Sequence, residues 1–312
     1  MTEKNLSRNL NAAKKNKEDE FYTQLDDINK ELQHYKKHFK NKIIYCNCDD
    51  PRISNFFKYF SLNFEHLGLK KLITTCFKNQ DWNLFSAEKS ESAVYLEYEG
   101  DKNNNKVPDP EEIGVHNLKG DGDFRSEESI ELLKQADIVV TNPPFSLFRD
   151  YLDQLIKYGK KFLIIGNINA VSYKNCFEYI KANKLWLGYN TVRHFQKPDG
   201  SMYETARSFW YTNLDIKKRH EDFVLYKKYN KDEFPKYDNY DAINVNKAID
   251  IPLDYDGLMG VPITFLDKYN PEQFELIGID RQLVEQQTGK VSRFFIDNKE
   301  IYARVIIRNK TL

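Results

Sequence analysis

The chain has 312 residues, which is enough for one large α/β domain or for such a domain with a recognition appendage. Hydrophobic residues make up 40% of it and can form a sizeable core, whereas no apolar run approaches membrane-spanning length and the polar N-terminus does not resemble a secretion signal. The formal net charge is zero, which excludes a global field that would draw the protein to a polyanion, and the composition predicts a soluble, reduced, cytoplasmic protein.

The first half of the chain is predicted to begin with a mobile polar arm, residues 1–20. A helix follows this arm, because one face of a helical pattern carries apolar side chains: Leu25, Ile28, Leu32, Tyr35 and Phe39. The next predicted elements are a strand over residues 42–47, an aromatic-rich helix over 52–67 and a strand over 69–75. Residues 78–120 are polar and predict a surface excursion, with a short strand over 94–98.

The second half continues the alternation of helices and strands. Ser126 offers a capping hydroxyl, and the acids after it favour the start of a helix that runs to about Gln135. The later predicted elements are a strand over 137–141, a helix over 146–158, a strand over 161–166, a helix over 172–182, and strands over 185–188 and 208–212. This alternation predicts an α/β fold with a mostly parallel, Rossmann-like sheet covered by helices. Periodicity fades from about Leu214, so we predict a catalytic domain over residues 21–213 and a recognition region, packed on it, over 214–312.

The tetrapeptide Asn142-Pro143-Pro144-Phe145 follows the predicted strand 137–141 directly. Two consecutive prolines hold the backbone extended and remove two N–H donors. The Asn142 side-chain oxygen and the Pro143 carbonyl can then accept hydrogen bonds from one exocyclic amine, while Phe145 offers a ring for stacking. Open α/β sheets bind ligands beyond the carboxyl ends of their strands, so the turn is predicted to be catalytic in methyl transfer to an amino nitrogen. The alternative is a strand that ends in a Pro-Pro turn, with Phe145 in the core.

Three further segments carry candidate cofactor-binding residues, and each has a structural alternative. The turn after the first strand offers Asn47, Asp49 and Asp50, whose acids could instead cap the following helix. Asp123 and Phe124 belong to a Gly-Asp-rich turn. Asp123 could accept a hydrogen bond from an adenine amine while Phe124 packs on a ring, or the segment could serve only as a turn or a cap. Tyr22 and Thr23 precede the first strand and could cover a cofactor.

A zinc site is a weaker alternative at the first strand. His34 and His38 lie one helical turn apart and precede Cys46-Asn47-Cys48, but a single residue separates these cysteines, whereas zinc ligands are usually spaced Cys-x2–4-Cys. We therefore predict no metal and interpret the cysteines as small buried thiols.

Several long blocks together make the chain resemble the EcoRI-type adenine-specific DNA methyltransferases. They are Asp19-Glu20-Phe21-Tyr22-Thr23, Tyr45-Cys46-Asn47-Cys48-Asp49-Asp50-Pro51, Gly120-Asp121-Gly122-Asp123-Phe124-Arg125-Ser126, Asn142-Pro143-Pro144-Phe145-Ser146-Leu147-Phe148, and two blocks over residues 236–246 and 257–266. The resemblance implies S-adenosylmethionine as methyl donor and N6 of adenine in duplex DNA as acceptor. It also implies that Tyr22 and Thr23 belong to the N-terminal cofactor motif.

Three features depart from the pattern of that family. The first-strand loop has Asn47-Cys48-Asp49 where glycines would be usual, and no acid ends the strand over 69–75, where a ribose-binding carboxylate is common. Residues 189–207 match the family poorly, so the sequence assigns no recognition contacts there.

The predicted partner is double-stranded DNA, with no membrane and no obligatory protein partner. Basic residues cluster in residues 1–17, at 217–219 and from 281 onward, where they could contact phosphates or form solvated surface. The family's namesake target is GAATTC, and whether this chain shares it is open. The alternatives are an N4-cytosine, RNA or protein-glutamine methyltransferase, which present an amine to the same turn, and a non-catalytic DNA-binding protein that has lost its donor site.

Overall fold

The computed structural model of the chain describes residues 22–48, 54–75, 93–197 and 200–312. The predicted N-terminal arm, Asp49 and Asp50 lie outside these ranges. The described residues form two compact units, one within residues 1–170 and 188–214 and the other of residues 171–187 and 215–312. In these ranges no helix is long and apolar enough to cross a membrane.

The elements are numbered here along the described parts of the chain. The strands are β1 Tyr22–Thr23, β2 Ile43–Asn47, β3 Lys71–Thr75, β4 Val94–Tyr98, β5 Ile113–Asn117, β6 Ile138–Thr141, β7 Lys161–Asn167, β8 Trp186–Gln196, β9 Met202–Thr212, β10 Ile243–Asn244, β11 Met259–Pro262, β12 Phe274–Ile279, β13 Phe295–Ile296, β14 Lys299–Glu300 and β15 Arg304–Asn309. The α-helices are α1 Leu25–Leu32, α2 Lys36–Phe39, α3 Asn55–Leu62, α4 Phe64–Leu67, α5 Glu127–Gln135, α6 Phe148–Lys157, α7 Lys174–Lys181 and α8 Asp280–Thr288.

The large sheet is mixed rather than mostly parallel. Its strand order is β1-β8-β9-β7-β6-β2-β3-β4-β5. The four central strands, β7, β6, β2 and β3, pair in parallel. Antiparallel pairs flank them: β9 with β7 and β1 with β8 on one side, β4 with β3 and β5 with β4 on the other. The predicted α/β class is therefore confirmed, but the parallel arrangement is limited to the centre, because β4–β5 and β8–β9 return as hairpins instead of crossing over through a helix.

The predicted apolar face of the first helix is confirmed. Ile28, Leu32, Tyr35 and Phe39 are fully buried, as their helical spacing requires. The helix is interrupted by a short 3-10 turn over Gln33–Tyr35, so that α1 and α2 are separate elements.

A buried carboxylate anchors α1 to the start of the β8–β9 hairpin. Glu31 is fully buried and accepts hydrogen bonds from Tyr35 Oη at 2.8 Å, the Tyr189 amide at 2.9 Å and the Asn190 amide at 2.7 Å. The Asn190 side-chain amide donates a further bond at 2.9 Å. Burial raises the pKa of the Glu31 carboxyl, and these hydrogen bonds only partly oppose the shift.

The register aligns the carboxyl ends of the central strands at one edge. Asn47 at the end of β2 pairs with Thr75 at the end of β3, and Thr141 at the end of β6 pairs with Ile164 in β7. Because parallel strands present these ends together, the residues that follow β2, β6 and β7 share one side of the sheet.

The β8–β9 hairpin is much longer than the two short strands predicted from the sequence. In the register of β9 with β7, Thr212 pairs with Leu163 and Ser208 pairs with Asn167, the last residue of β7. Residues 202–207 of β9 therefore continue past the carboxyl end of β7. At about 3.3 Å per residue this extension is about 20 Å long.

The second unit has its own four-stranded sheet, in the order β10-β11-β15-β12. A core cluster of buried side chains lies within this unit: Tyr237, Ala242, Val284, Phe294 and Ile306. The weak periodicity seen in the sequence after Leu214 reflects short strands joined by long irregular segments.

Candidate functional site

The Asn142 turn lies at the carboxyl edge of the sheet. Thr141 ends β6 and is fully buried, and Asn142 after it is only 5% exposed. Pro144 is extended, with φ −53° and ψ 128°, as the Pro-Pro pair predicts. Phe145 then begins a short 3-10 turn that leads into α6, and its ring is half-buried. The sequence prediction of an extended turn after a buried strand is confirmed.

Asn47 joins the ends of β2 and β6 to α6. The Thr141 hydroxyl donates to the Asn47 carbonyl oxygen, and the Tyr151 hydroxyl donates to Asn47 Oδ1. Tyr151 is buried, and burial raises the pKa of its phenol well above the usual value, so the hydroxyl keeps its proton. The Asn47 side-chain oxygen thus accepts one hydrogen bond within the protein, and the contact of Asn47 with a cofactor stays a prediction.

The turn after β2 uses a left-handed residue. Cys48 has φ +72°, a conformation that glycine adopts easily and that other residues rarely take. The sequence has cysteine where glycines are usual, yet the backbone makes the sharp turn that glycine would allow. The predicted cofactor-binding acids of this loop, Asp49 and Asp50, lie outside the described residues.

Asp123 is bound by Arg125. The Asp123 Oδ1 atom accepts from the Arg125 amide at 2.8 Å and from Arg125 Nε at 2.9 Å, and Oδ2 accepts from Nη2 at 2.6 Å. Burial raises the pKa of the Asp123 carboxyl, but the Arg125 hydrogen bonds more than offset this and leave the pKa below its usual value. The carboxylate is therefore charged and held in place at neutral pH.

Phe124 packs inward beside this carboxylate. It is 6% exposed, and its ring meets the Tyr151 ring edge-on with 5.0 Å between centroids. Its carbonyl oxygen accepts from Gln154 Nε2 at 2.9 Å. The structure thereby brings Phe124 and Asn47 to the same tyrosine of α6.

Tyr22 and Thr23 form β1 at the edge of the sheet. Both are buried, and they pair with Gln196 and Phe195 of β8. Asn55 Nδ2 donates to the Thr23 carbonyl oxygen at 2.8 Å, which connects β1 to the start of α3.

Two polar atoms of this N-terminal motif are buried without a hydrogen bond among the described residues. They are Thr23 Oγ1 and Gln24 Nε2. A buried hydroxyl or amide that lacks a partner is unfavourable by about 1–3 kcal/mol, so both atoms would be stabilised by a partner outside the described residues, such as water or a polar ligand.

Phe195 connects the N-terminal motif to the Asn142 turn. Its ring is fully buried and meets Phe145 edge-on, with 5.8 Å between centroids. In the register of the sheet, Phe195 is also the partner of Thr23. One residue of the β8–β9 hairpin therefore contacts both predicted parts of the site.

The residues of the zinc alternative make other contacts. His34 stacks on Tyr189 with 4.0 Å between ring centroids, and Cys46 is buried within β2. Across the described ranges, no group of three or more potential ligands is arranged to hold a metal ion.

Sequence reasoning missed Tyr151 and Phe195 as parts of the site. Tyr151 lies within the predicted helix over 146–158 and has no role assigned by the sequence, and Phe195 lies in the segment 189–207, which matches the family poorly. A hydroxyl on an otherwise apolar helix face is a weak signal for Tyr151. We find no sequence signal that would have selected Phe195.

Comparisons with known proteins are consistent with this arrangement. The chain matches a family model described as adenine-specific methyltransferase EcoRI over residues 9–310. It is 52% identical to the type II methyltransferase M.EcoRI of Escherichia coli, with 97% of each chain covered. It is 41% identical to the type II methyltransferase M.MgeORF184P of Mycoplasma genitalium, with 97% of this chain and 99% of the relative covered. It is 37% identical to the type II methyltransferase M.MpnI of Mycoplasma pneumoniae, with 96% and 98% covered. No solved structure matches the chain.

Proposed function

Because the chain belongs to the EcoRI family of adenine-specific methyltransferases, we propose that it transfers a methyl group from S-adenosylmethionine to N6 of adenine in duplex DNA. Membership of this family makes it a restriction-modification adenine methyltransferase, as its type II relatives are named. The donor, the duplex substrate and the roles of individual residues are inferred from the chemistry of the site.

The position of Asn142 is the observation that carries the proposal. It is a buried amide directly after β6, and the extended Pro144 follows it. In this arrangement Asn142 Oδ1 and the Pro143 carbonyl oxygen accept hydrogen bonds from the two N–H groups of the target amine. Phe145 stacks on the base, which has been rotated out of the duplex at a cost of a few kcal/mol.

The turn accelerates transfer by positioning and by electrostatics. S-adenosylmethionine supplies an activated methyl group on a sulfonium centre. The adenine nitrogen becomes cationic as its lone pair forms the new N–C bond and the methyl–sulfur bond breaks, which leaves the sulfur as a neutral thioether. The oxygens of Asn142 and Pro143 stabilise the charge on the nitrogen. The proton then leaves from a cationic nitrogen, which is acidic enough to need no general base.

The N-terminal motif fits a polar donor. The buried Thr23 Oγ1 and Gln24 Nε2 lack partners among the described residues, and we assign them to the polar methionine end of S-adenosylmethionine, with Tyr22 beside them. Asp49 and Asp50 are assigned to the donor's ammonium group by motif alone.

We assign the adenine end of the donor to the turn that holds Asp123 and Phe124. Asp123 is charged, and three hydrogen bonds from Arg125 hold its carboxylate in place. A carboxylate oxygen that accepts from the adenine amine would do so while it keeps its hydrogen bond to Arg125. Asn47 supports the same end of the site by holding β2 and β6 together.

We also propose the domain roles predicted from the sequence: residues 21–213 carry out catalysis, and residues 214–312 recognise DNA. An enzyme that modifies cellular DNA works where that DNA is, so we place it in the cytoplasm. The duplex GAATTC is the first target to test, because the chain is 52% identical to M.EcoRI.

The decisive experiment measures transfer of labelled methyl to unmethylated duplexes with and without GAATTC, for the wild type and for Asn142→Ala. We expect label on a specific duplex, and a loss of at least about 100-fold in kcat for the variant, the size of effect that follows removal of one oriented group of this kind. Donor affinity, measured by calorimetry, should change less than threefold.

Each other outcome points to a different function. Labelling of duplexes that lack GAATTC would support DNA methyl transfer by this protein at a different target sequence. Label on RNA or protein alone would replace the substrate class. A wild type that binds no donor would favour a non-catalytic DNA-binding protein, and a variant that loses donor affinity and turnover equally would refute the role of Asn142.

A further inference from the structure

We propose that the outer part of the β8–β9 hairpin, residues 191–197 and 200–207, contacts duplex DNA beside the target base. We call these residues the outer hairpin. The inference rests on the proposed function and adds to it a DNA contact within the catalytic unit, in the segment for which the sequence assigned no recognition contacts.

The outer hairpin lies on the side of the sheet where the reaction takes place. Ser208 pairs with Asn167, the last residue of β7, so residues 202–207 extend past the carboxyl end of that strand. β6 is the parallel neighbour of β7, and its carboxyl end leads directly into Asn142. An adenine held by Asn142 therefore has the hairpin beside it, and the duplex from which that base was rotated must pass the same edge.

The outer hairpin also touches the catalytic turn. Phe195 lies in its inner face and meets Phe145 edge-on at 5.8 Å between centroids. This contact fixes the distance between the hairpin and the base-stacking residue, so that DNA bound along the hairpin is positioned relative to the site.

The dimensions of the hairpin suit a DNA groove. The extension is about 20 Å long, and two paired strands are separated by about 4.8 Å. The major groove of B-DNA is about 12 Å wide and admits a two-stranded ribbon. Near the tip, the Lys197 amide donates to the Ser201 carbonyl oxygen at 2.8 Å, so the two strands are still paired at these residues.

The surface of the outer hairpin carries cations suited to phosphate. Arg193 and Arg207 are exposed, and neither forms an ion pair with the residues that the structure describes. Lys197 Nζ lies 5.0 Å above the Tyr203 ring, which orients a third cation near the tip. Glu204 is an exposed acid of the outer hairpin. Its Oε1 atom lies 4.0 Å from His194 Nε2, and it forms no ion pair with Arg193 or Arg207. Two exposed guanidinium groups on a narrow ribbon, with no ion pair among the described residues, are suited to contact the phosphates of the DNA backbone.

The test compares the double variant Arg193→Ala/Arg207→Ala with a matched control that also removes two positive charges, Lys37→Ala/Lys70→Ala. Lys37 and Lys70 are exposed and precede β2 and β3, at the opposite edge of the sheet. The Kd for a duplex that the wild type methylates is measured by fluorescence anisotropy between 50 and 200 mM salt. Donor affinity and thermal unfolding are measured on every variant.

Each phosphate contact contributes about 0.9 to the slope of log Kd against log salt. We therefore expect the hairpin variant to lose about 1–2 units of slope, and its Kd at 0.1 M salt to rise by about 10- to 60-fold. Donor affinity and thermal unfolding should match the wild type. The double variant Arg193→Lys/Arg207→Lys, which keeps both charges, should recover most of the affinity, and the control should change less than twofold.

An unchanged slope and Kd in the hairpin variant would overturn the inference, and so would equal losses in the hairpin and control variants. If the wild type methylates a duplex while the hairpin variant binds that duplex normally, the inference fails and the proposed function stands. If the wild type methylates no duplex, the proposed function fails and the inference fails with it.

Discussion

Replacing Tyr151 with phenylalanine isolates one hydrogen bond that holds the candidate site together. The ring of Tyr151 packs against Phe124 and is retained in the variant. Only the hydroxyl that donates to Asn47 Oδ1 is lost. Asn47 is 4% exposed, so water cannot easily replace that donor. The change therefore leaves a buried carbonyl oxygen unsatisfied at the end of β2.

The expected loss of stability follows from that geometry. A buried polar atom left without its partner destabilises a protein by about 1–3 kcal/mol. For a domain of roughly 150–250 residues, each kcal/mol lowers the midpoint of thermal unfolding by about 2–4 °C. We also expect donor affinity to fall by about threefold to tenfold, because Asn47 directly precedes the loop assigned to the donor's ammonium group.

Thermal unfolding followed by circular dichroism, and calorimetry with S-adenosylmethionine, measure the two effects. Tyr59→Phe is the matched control, because Tyr59 is a buried tyrosine of α3 whose hydroxyl makes no hydrogen bond among the described residues. The control should unfold within about 1 °C of the wild type and bind the donor normally. If Tyr151→Phe is as stable as the control and binds the donor as tightly, the hydrogen bond from Tyr151 to Asn47 contributes neither to stability nor to donor affinity, and the reasoning is refuted.

Three other substitutions give further tests. Thr23→Val should raise the donor Kd by about tenfold while the apo protein stays as stable as the wild type or gains slightly, since it removes a buried hydroxyl that has no partner among the described residues; a loss of stability would contradict this. The pKa of Glu31 is raised above its unfolded value near 4.5, so its contribution to stability is present below that pH and is lost as pH rises through the folded pKa. Urea unfolding of Glu31→Gln should therefore show a flatter decline between pH 4 and 7, with a difference of up to about 1.4 kcal/mol per pH unit, and identical slopes would rule this out. Gly166→Ala should lower the free energy of unfolding by about 1–3 kcal/mol, because a methyl group there would overlap the Phe148 ring; an unchanged urea midpoint would show that the ring moves aside.

The sequence predicts the parts of this fold that local chemistry determines. The helical spacing of Ile28, Leu32 and Phe39 is sufficient to place a buried helix face, and the Pro-Pro pair is sufficient to place an extended turn. The Ser126 cap is also found as predicted, with its hydroxyl accepting from the Ser129 amide.

The antiparallel flanks could not be predicted in the same way. The adjacent polar residues Arg193 and His194 interrupt the alternation that would mark β8 as a strand, although the Pro-Asp-Gly sequence at 198–200 is a turn signal. Residues 113–117 of β5 lie in a segment that the sequence marks as a polar surface excursion, and all five pair with β4, a strand that the sequence did predict.

The conformation of the candidate site could be predicted where neighbouring residues in the sequence determine it, and not where tertiary packing does. Asn142 can be found from its neighbours in the sequence, because the prolines that shape its turn are adjacent to it. Tyr151 and Phe195 reach the site from a helix and from an edge strand, so their contacts with Asn47 and Phe145 depend on tertiary packing. Cys48 differs from both examples. Its backbone is left-handed and makes the sharp turn after β2, although glycine, the residue that adopts this conformation most easily, is absent there.

The pairing of β1 with β8 has a consequence for the order in which the enzyme matures. Tyr22 and Thr23 leave the ribosome early, but their partners Gln196 and Phe195 are synthesised about 170 residues later. At about 5–20 residues per second, the N-terminal motif waits roughly 10–30 s for the strand that holds it. A nascent or truncated chain that stops before β8 therefore lacks the partner strand of this motif, however complete its central strands are. The motif that we assign to the methyl donor can therefore be completed only after about 170 further residues have been made, so a shorter nascent polypeptide does not compete for that donor.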